Sequence, residues 1–206
     1  MYGLVNRAVQ ELVVSQFGKD KWDAIKKKAA TGVQTFVSMQ NYPDETTYKL
    51  VAAASEVLEV PPEKVLEAFG EYWITYTAAN GYGDMFQMFG SSMAEFLSNL
   101  DNLHVRVGMT FPKLRPPSVR CTEVNAEGMR VHYYSERVGL APLMVGLLRG
   151  LGKRFGTEVD VAHAQDEARA DEADREQRHQ EDGHRDPRQH HVPGDEEGDD
   201  EHEHLD

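Results

Sequence analysis

The side chain of His104 lies on an apolar stripe, which makes it the first candidate for chemistry in this sequence. A helix is predicted from Met93 to about Val107, and His104 follows Leu100 by four residues on the same face. An imidazole that faces an apolar cavity could bind a haem iron on its proximal side. A lone histidine on such a stripe is also commonly a hydrogen-bonded core residue, so its position alone leaves both interpretations open.

Three hydrogen-bond donors alternate along a segment nearer the carboxyl terminus. Tyr133, Ser135 and Arg137 are two residues apart, and alternate side chains of a strand point to the same face. The planar fork of an arginine matches a carboxylate, and the two hydroxyl groups add further donors. The row could therefore bind a pair of carboxylates, such as the propionates of a haem. The alternative is the polar outer face of a half-exposed strand, with Arg137 paired to a nearby acid.

Two adjacent prolines, Pro116 and Pro117, precede this segment. Their rigid rings could press against a flat ligand and resist adjustment. Pro-Pro pairs are also common in linkers, so the alternative is a connection between two halves of the chain. None of these three features is specific when it stands alone.

Apolar periodicity places these candidates in an order of elements. The first two thirds of the chain is predicted to be mainly helical, with an irregular segment at 31–42. The predicted helices cover Leu4–Leu12, Trp22–Ala29, a segment through Leu58 that Asp44 caps, Pro62–Ala79 and Met93–Val107. Gly18, Gly81 and Gly83 are predicted to interrupt the helices. Ser92 and Glu95 have the spacing of a capping box at the start of the last of them.

The pattern changes after residue 110. Two strands, Val119–Val124 and Met129–Ser135, are predicted on either side of a turn. A helix that begins at Pro142 and a third strand at Glu158–Val161 follow. This order predicts an α+β fold in which the amino-terminal half is helical and the other half is a small antiparallel sheet.

Negative charge is concentrated at the end of the chain. The 206 residues carry a net charge of -13, and 17 acidic residues against five arginines lie in 165–206. Six of the nine histidines lie there as well, and apolar side chains are few. We therefore predict a disordered, acidic, His-rich tail at 164–206. The rest of the chain is almost neutral, which argues against nucleic-acid binding.

The cysteine content and the length of the apolar runs indicate in which cellular compartment the protein is expected, the cytoplasm. The single cysteine, Cys121, excludes a disulfide framework within the chain and fits a reduced setting. No apolar run approaches the roughly 18 residues that span a bilayer, and the first ten residues do not have the pattern of a signal peptide. We expect a cytoplasmic protein that does not bind membranes.

Three motifs together resemble one known family. Met1–Asn6 (MYGLVN), Asn99–His104 (NLDNLH) and His132–Arg137 (HYYSER) are similar to motifs of the H-NOX family, the haem nitric oxide/oxygen binding domains. That family includes bacterial stand-alone sensors and the amino-terminal domain of the soluble guanylate cyclase beta subunit. The resemblance covers residues 1–163. The interval of about thirty residues between the histidine and the Tyr-x-Ser-x-Arg motif makes it specific.

The resemblance implies a fold and a set of ligands. Haem b would be buried between seven helices and a four-stranded antiparallel sheet, and no catalytic residue is implied. His104 would be the axial ligand, and Pro117 would help to distort the porphyrin. The propionates would be hydrogen-bonded by Tyr133, Ser135 and Arg137. Members of the family end their sheet with a further strand after the position of residues 158–161, and no such pattern follows in this sequence.

The resemblance also implies which gas is bound. Members that hold oxygen place a tyrosine five residues after the arginine of the motif, and Pro142 occupies that position here. Bound oxygen gains on the order of 1–3 kcal/mol from a hydrogen-bond donor, whereas nitric oxide needs little such help. The N–H of Trp73 or the hydroxyl of Tyr76 would weaken this argument if it pointed at the iron. The implied distal wall is otherwise apolar and consists of Leu4, Val5, Trp73 and Met144.

We therefore expect a nitric oxide sensor that also binds carbon monoxide and discriminates against oxygen. Nitric oxide would bind opposite His104 and break the iron–histidine bond, which would release the helix that carries this residue. A separate histidine kinase or diguanylate cyclase would respond to the change. The alternatives are an oxygen-binding haem protein, a haem enzyme of the peroxidase type and a helical interaction module without haem.

Overall fold

The computed structural model describes residues 1–162. Within this range the chain forms eight α-helices, one π-helical turn and a two-stranded antiparallel sheet. The predicted α+β class is therefore confirmed. The predicted tail at 164–206 lies outside the described residues. No helix in residues 1–162 combines the length and the apolar character that crossing a membrane requires.

The first four helices surround an apolar core. They are α1 (Gly3–Phe17), α2 (Lys19–Ala29), α3 (Asp44–Leu58) and α4 (Pro62–Thr77). Buried side chains recur every three or four residues along each helix, which turns one apolar face towards the others. Together with two side chains from the segment between α2 and α3, Phe36 and Tyr42, they form the first core cluster: Ala8, Val9, Leu12, Val13, Trp22, Ile25, Ala29, Phe36, Tyr42, Leu50, Ala53, Ala54, Phe69 and Tyr76.

Asp44 does not cap α3, so this prediction is wrong. The N-cap position is occupied by Pro43, and no side chain caps the helix. Asp44 lies in the first turn, where its carboxylate accepts hydrogen bonds from Arg137 and from the amino group of Met1. Charge-assisted hydrogen bonds are roughly twice as strong as neutral ones, and they take the carboxylate away from the backbone.

Gly81 interrupts the helical segment after α4, as predicted. A π-helical turn, Ala78–Tyr82, follows Thr77, and within it Gly81 has a φ of 91°, which glycine adopts without strain. Gly83, which was also predicted as a break, is helical instead and begins a short helix, α5 (Gly83–Phe89), that the sequence pattern did not predict.

The single helix predicted over residues 93–107 is in fact two helices. α6 (Met93–Ser98) and α7 (Leu100–Thr110) meet at Asn99, whose φ of -100° and ψ of 4° are not helical. The Asn99 side chain donates to two preceding backbone carbonyl groups, each at 3.1 Å. These hydrogen bonds stabilise the break.

The sheet consists of β1 (Ser118–Thr122) and β2 (Arg130–Tyr134), which pair antiparallel with Val119 opposite Tyr133. Both predicted strands are confirmed, with ends that differ by one or two residues. The turn between them is closed by the side-chain oxygen of Asn125, which accepts from the amides of residues 127 and 128.

The last helix, α8 (Ala141–Phe155), packs closely against α4 and has Pro142 in its first turn, as predicted. Small residues allow the close approach, because a Cβ atom at Gly146 would overlap the Glu67 carbonyl oxygen. An ion pair of 2.6 Å between Arg149 and Glu67 also joins the two helices. Side chains of α4, α5, α6, β1 and α8 form the second core cluster: Ile74, Phe86, Met93, Phe96, Leu97, Val119, Met144, Leu148 and Leu151.

The segment Glu158–Val161 is not a strand, so this prediction is also wrong. Val159 and Val161 are partly buried and pack against the second core cluster, which explains their alternation. Residues 1–162 contain no neighbouring strand with which the segment could pair, and a strand requires such a partner. Within this range the sheet therefore has two strands rather than the four that the resemblance implied.

We predict that Gly146→Ala destabilises the protein by about 1–3 kcal/mol or more, because the added methyl group must push α4 away from α8. Thermal or urea unfolding measures this loss. Gly108→Ala is the matched control, since a Cβ at Gly108 has no neighbour within 4 Å and alanine favours a helix. Equal stabilities for the two variants would contradict the close contact at Gly146.

Candidate functional site

His104 lies in the first half of α7, and its side chain is 20% exposed. The Nδ1 atom is buried and has no hydrogen-bond partner. The nearest carboxylate oxygen belongs to Asp101, one turn earlier, at 4.0 Å from Nδ1. This distance is too long for a hydrogen bond. A buried ring nitrogen without a partner is uncommon in a folded protein and is typical of a site that another group completes.

Burial lowers the pKa of His104 below its ordinary value. The negative charge of Asp101 and the backbone of Pro117 raise the pKa in turn, but they do not cancel the effect of burial. The ring is therefore neutral at pH 7, and a neutral imidazole is the form that binds a metal. The contribution of the Pro117 backbone also places this residue beside the ring.

The donor row follows the alternation that the sequence predicted, although only part of it belongs to a strand. Tyr133, Ser135 and Arg137 are half-buried, whereas Tyr134 and Glu136 between them are exposed. β2 ends at residue 134, so the last two donors lie in the following loop. The Tyr133 ring packs against the second core cluster.

The side chain of Arg137 is 19% exposed, and its guanidinium group already holds two partners. Its Nε donates to Asp44 Oδ2 at 2.7 Å, and its Nη2 lies 3.4 Å from Asp44 Oδ1. Its Nη1 donates to the backbone carbonyl of Arg115 at 2.5 Å. Arg137 thus joins α3 to the segment that leads into Pro116 and Pro117.

Asp44 is the carboxylate in this network. Burial raises its pKa, but hydrogen bonds from Arg137 and from the amino group of Met1 lower it more, so the pKa lies below its ordinary value. The Met1 amino group donates to Asp44 Oδ1 at 2.5 Å. The carboxylate is therefore ionised at neutral pH and keeps the arginine fork in a fixed position.

The candidates for the distal wall do not all lie in one cluster. Leu4 and Val5 are partly buried against the first core cluster, whereas Met144 is a member of the second. Trp73 packs against both clusters. Tyr76 is 3% exposed and belongs to the first core cluster, where burial and the charge of Glu11 raise the pKa of its hydroxyl.

The residues present fit a haem on its proximal side. Haem needs one axial ligand from the protein and donors for two carboxylates. The first is met by a neutral imidazole with an unpaired buried nitrogen. For the second, the row at 133, 135 and 137 carries two hydroxyl groups and a guanidinium of the required chemistry, and the segment 115–117 touches both His104 and Arg137. Within residues 1–162, no three His, Cys, Asp or Glu side chains form a group that could hold a metal ion.

Two residues at the site were missed by the sequence analysis. Asp44 was interpreted as a helix cap, and its pairing with Arg137 spans 93 positions, which leaves no local signal. Asp101 had a weak signal, since it precedes His104 by three residues and therefore shares its helix face. Its carboxylate also accepts hydrogen bonds from the Ser118 hydroxyl and the Val119 amide at the start of β1. These two contacts could not be predicted from the spacing of residues.

Comparison with known proteins gives the relationships of this chain. Residues 2–163 match the family model described as Haem-NO-binding. Soluble guanylate cyclase gcy-35 of Caenorhabditis elegans is 33% identical over 165 residues, which cover 77% of this chain and 24% of that protein. Soluble guanylate cyclase 89Db of Drosophila melanogaster is 27% identical over 155 residues, which cover 75% of this chain and 23% of that protein. The chain spans about a quarter of the length of these relatives.

Solved structures share the fold. An H-NOX protein from S. oneidensis in the Fe(II)NO ligation state matches with a TM-score of 0.72 and 22% identity, and the match covers 80% of this chain and 91% of that one. An Fe(II) unliganded H-NOX protein from K. algicida matches with a TM-score of 0.69 and 18% identity over 81% of this chain and 91% of that one. At these identities the likeness establishes a common fold.

We predict that Asp44→Asn flattens the acid limb of the stability curve. Because the folded-state pKa of Asp44 is lowered, its stabilising contribution is complete above the unfolded-state pKa and is lost as the pH falls through the folded-state value. The contribution at pH 7 is at most about 1 kcal/mol, since the pair is partly exposed. Unfolding by urea between pH 7 and about pH 3 measures it.

The matched control is Asp20→Asn, which also removes an acid from the first turn of a helix but does not touch Arg137. A loss of pH dependence in both variants alike would show that the helix terminus, rather than the ion pair, is responsible.

Proposed function

The chain belongs to the haem-NO-binding, or H-NOX, family, and on this basis we propose that it is a nitric oxide sensor whose haem b is held by His104. Domains of this family bind haem and sense gases, and they are not catalytic. The observation that carries the proposal is the buried, neutral imidazole whose Nδ1 has no partner. Bound haem supplies an iron with one open coordination position for a diatomic gas.

The other residues of the proposed site hold the macrocycle. Tyr133, Ser135 and Arg137 donate to its propionates in this proposal, and Pro117 supports it from the side of the axial histidine. The pairing of Arg137 with Asp44 is compatible with this role, because a guanidinium has five N–H donors and the contacts to Asp44 and Arg115 occupy three of them. The hydrogen bonds to Asp44 would hold the guanidinium in a fixed orientation, so that its two remaining N–H groups could point at a propionate.

Selectivity for nitric oxide is proposed from the lack of a donor at Pro142. This residue lies in the first turn of α8, two positions before the buried Met144. Neither side chain can donate a hydrogen bond, so bound oxygen would gain nothing from them. Carbon monoxide, which also needs little such help, would bind as well.

An oxygen-binding protein is the second candidate, and one observation favours it. The Tyr76 side chain is buried, burial raises the pKa of its hydroxyl, and it lies in the cluster against which Leu4 and Val5 pack. If this hydroxyl or the Trp73 N–H reaches the gas, oxygen would be stabilised.

Signalling is proposed to begin with rupture of the iron–histidine bond by nitric oxide, followed by movement of α7. None of the side chains of α7 is fully buried, whereas α6 buries three of its six residues. The apolar side chains of α7 that pack against the second core cluster, Leu100 and Leu103, are only partly buried, so α7 is held less firmly than α6. The relatives carry this domain in longer cyclases, and we propose that a histidine kinase or a diguanylate cyclase in the cytoplasm responds to the movement here.

We predict that His104→Gly removes the axial ligand. The reduced, haem-loaded variant should lack the iron–histidine stretching band in resonance Raman spectra and should regain an axial ligand when imidazole is added. His132→Ala is the control, because His132 is hydrogen-bonded to Thr122 on the sheet and should leave the spectrum unchanged. An unaltered spectrum in the His104 variant would remove the basis of the proposal.

We predict that the ferrous protein forms no stable oxygen complex in air and that Pro142→Tyr creates one. A new hydrogen bond from the tyrosine should raise oxygen affinity by about ten- to a hundredfold while nitric oxide affinity changes little. Pro142→Ala is the control for loss of the proline ring alone. If the unmodified protein already holds oxygen, a loss of that complex in Tyr76→Phe would establish the second candidate.

A further inference from the structure

Three aromatic side chains of α4 touch one another in sequence. The ring centroids of Trp73 and Tyr76 are 6.0 Å apart, with an angle of 27° between the ring planes. The centroids of Tyr76 and Tyr72 are 5.9 Å apart, with an angle of 35°. Both distances lie in the range of aromatic rings in contact. Trp73, Tyr76 and Tyr72 therefore form an unbroken series of rings, the aromatic row.

The aromatic row begins at the proposed haem pocket and ends at a side chain that water reaches. Trp73 packs against both core clusters, between which the candidates for the distal wall are divided. Tyr76, in the middle, is 3% exposed. Tyr72 is only partly buried and packs against the first core cluster. A path of touching rings thus leads from the pocket towards solvent.

Packing alone does not explain why these three rings are indole and phenol rings. A phenylalanine would fill the position of Tyr76 without burying a hydroxyl group, which costs free energy in apolar surroundings. Phe69, whose ring is 6.0 Å from that of Trp73 at an angle of 61°, is such a residue. Indole and phenol rings give up an electron to a strong oxidant, whereas a benzene ring is far harder to oxidise. The contacts of Trp73 therefore offer an electron path through Tyr76 and none through Phe69.

The two phenols of the aromatic row hold their protons. Burial first, and then the negative charge of Glu11 on α1, raise the pKa of the Tyr72 hydroxyl and that of the Tyr76 hydroxyl. The charge of Arg7 lowers the pKa of Tyr76 without cancelling this increase. Both residues are therefore neutral phenols at pH 7. An electron that leaves either ring must be accompanied by the hydroxyl proton.

We propose that the aromatic row is a redox relay, which carries electrons from the surface to the haem pocket after hydrogen peroxide has oxidised the haem. The inference rests on the proposed function, since bound haem supplies the one-electron chemistry. Trp73 gives one electron to the oxidised haem and its N–H proton to water. The resulting indolyl radical takes an electron and a proton from Tyr76, and Tyr76 regains both from Tyr72.

The balance leaves one electron on the haem, one proton in water and a phenoxyl radical on Tyr72. An external thiol reduces this radical by giving up a hydrogen atom and becomes a thiyl radical. Each step runs between rings in contact, where electron transfer is fastest, because tunnelling falls steeply with distance. The direction follows from the chemistry of the rings, since an indolyl radical is a stronger oxidant than a phenoxyl radical at neutral pH. The relay would protect the haem and its pocket from oxidative damage.

The experiment uses the full chain loaded with ferric haem, mixed with hydrogen peroxide and frozen rapidly. Electron paramagnetic resonance identifies the radical, because ring-deuterated tyrosine narrows the signal of a phenoxyl radical and leaves that of an indolyl radical unchanged. We expect a phenoxyl radical in the unmodified protein and loss of its signal in Trp73→Phe. Tyr72→Phe should leave the radical on Tyr76, with an altered hyperfine splitting. The double variant Tyr72→Phe with Tyr76→Phe should leave it on Trp73.

Two matched variants serve as controls. Tyr134→Phe removes a tyrosine that is 58% exposed and stacks on His132. Trp22→Phe removes the other tryptophan of the chain, which is buried on α2. Both should leave the phenoxyl signal unchanged. Urea unfolding of every variant shows whether a lost signal is accompanied by a loss of structure.

The proposal is overturned if Trp73→Phe folds and keeps the full phenoxyl signal, or if the double tyrosine variant does. A chain that binds no haem contradicts the proposed function instead, and the aromatic row is then tested without it. Azide radicals from pulse radiolysis oxidise tryptophan directly. Decay of the indolyl absorbance should match the rise of the phenoxyl absorbance in the unmodified chain and not in the double variant. Equal behaviour of the two chains would show that the row carries no electrons.

Discussion

A buried imidazole stays neutral because its surroundings exclude water, and the chemistry available to His104 depends on this condition. Burial lowers the pKa of His104 even though Asp101 lies close by. The helix that carries the ring has no fully buried side chain of its own. Neighbouring elements therefore contribute to the burial of the ring, among them the backbone of Pro117. The chemistry of the His104 ring thus depends on the contact between α7 and the segment around Pro117 as well as on α7 itself.

Polar contacts make a second connection between the helices and the sheet region. Arg137 joins Asp44 to the Arg115 carbonyl, and the Tyr48 hydroxyl donates to the Val138 carbonyl at 3.1 Å. These groups are partly exposed, so each contributes little to stability. Their importance is geometric, because they fix the guanidinium of Arg137 before any ligand arrives. A carboxylate-bearing cofactor would then meet donors whose conformational freedom is already restricted.

Sequence-based predictions were correct where the structure depends on neighbouring residues, and they failed where it depends on contacts between residues that are far apart in the chain. Apolar periodicity predicted the α+β class, the first two helices and both strands, and the Ser92 side chain does accept from the Glu95 amide at the start of α6. The break at Asn99 was missed, because the apolar repeat continues through it and only side-chain bonds to earlier carbonyl groups reveal it. The strand at 158–161 was wrong, because alternating burial arises without a pairing strand.

The amino-acid sequence by itself determined which chemical groups are available and how they are spaced: an imidazole on an apolar stripe, and three donors on alternate positions. These are local properties, and the periods of helices and strands express them directly. Only the tertiary structure decided the partners, since Asp44 meets Arg137 across 93 positions and Asp101 meets Ser118 across 17. Local periodicity contains no information about which distant segments come together, and packing of the whole chain determines that choice.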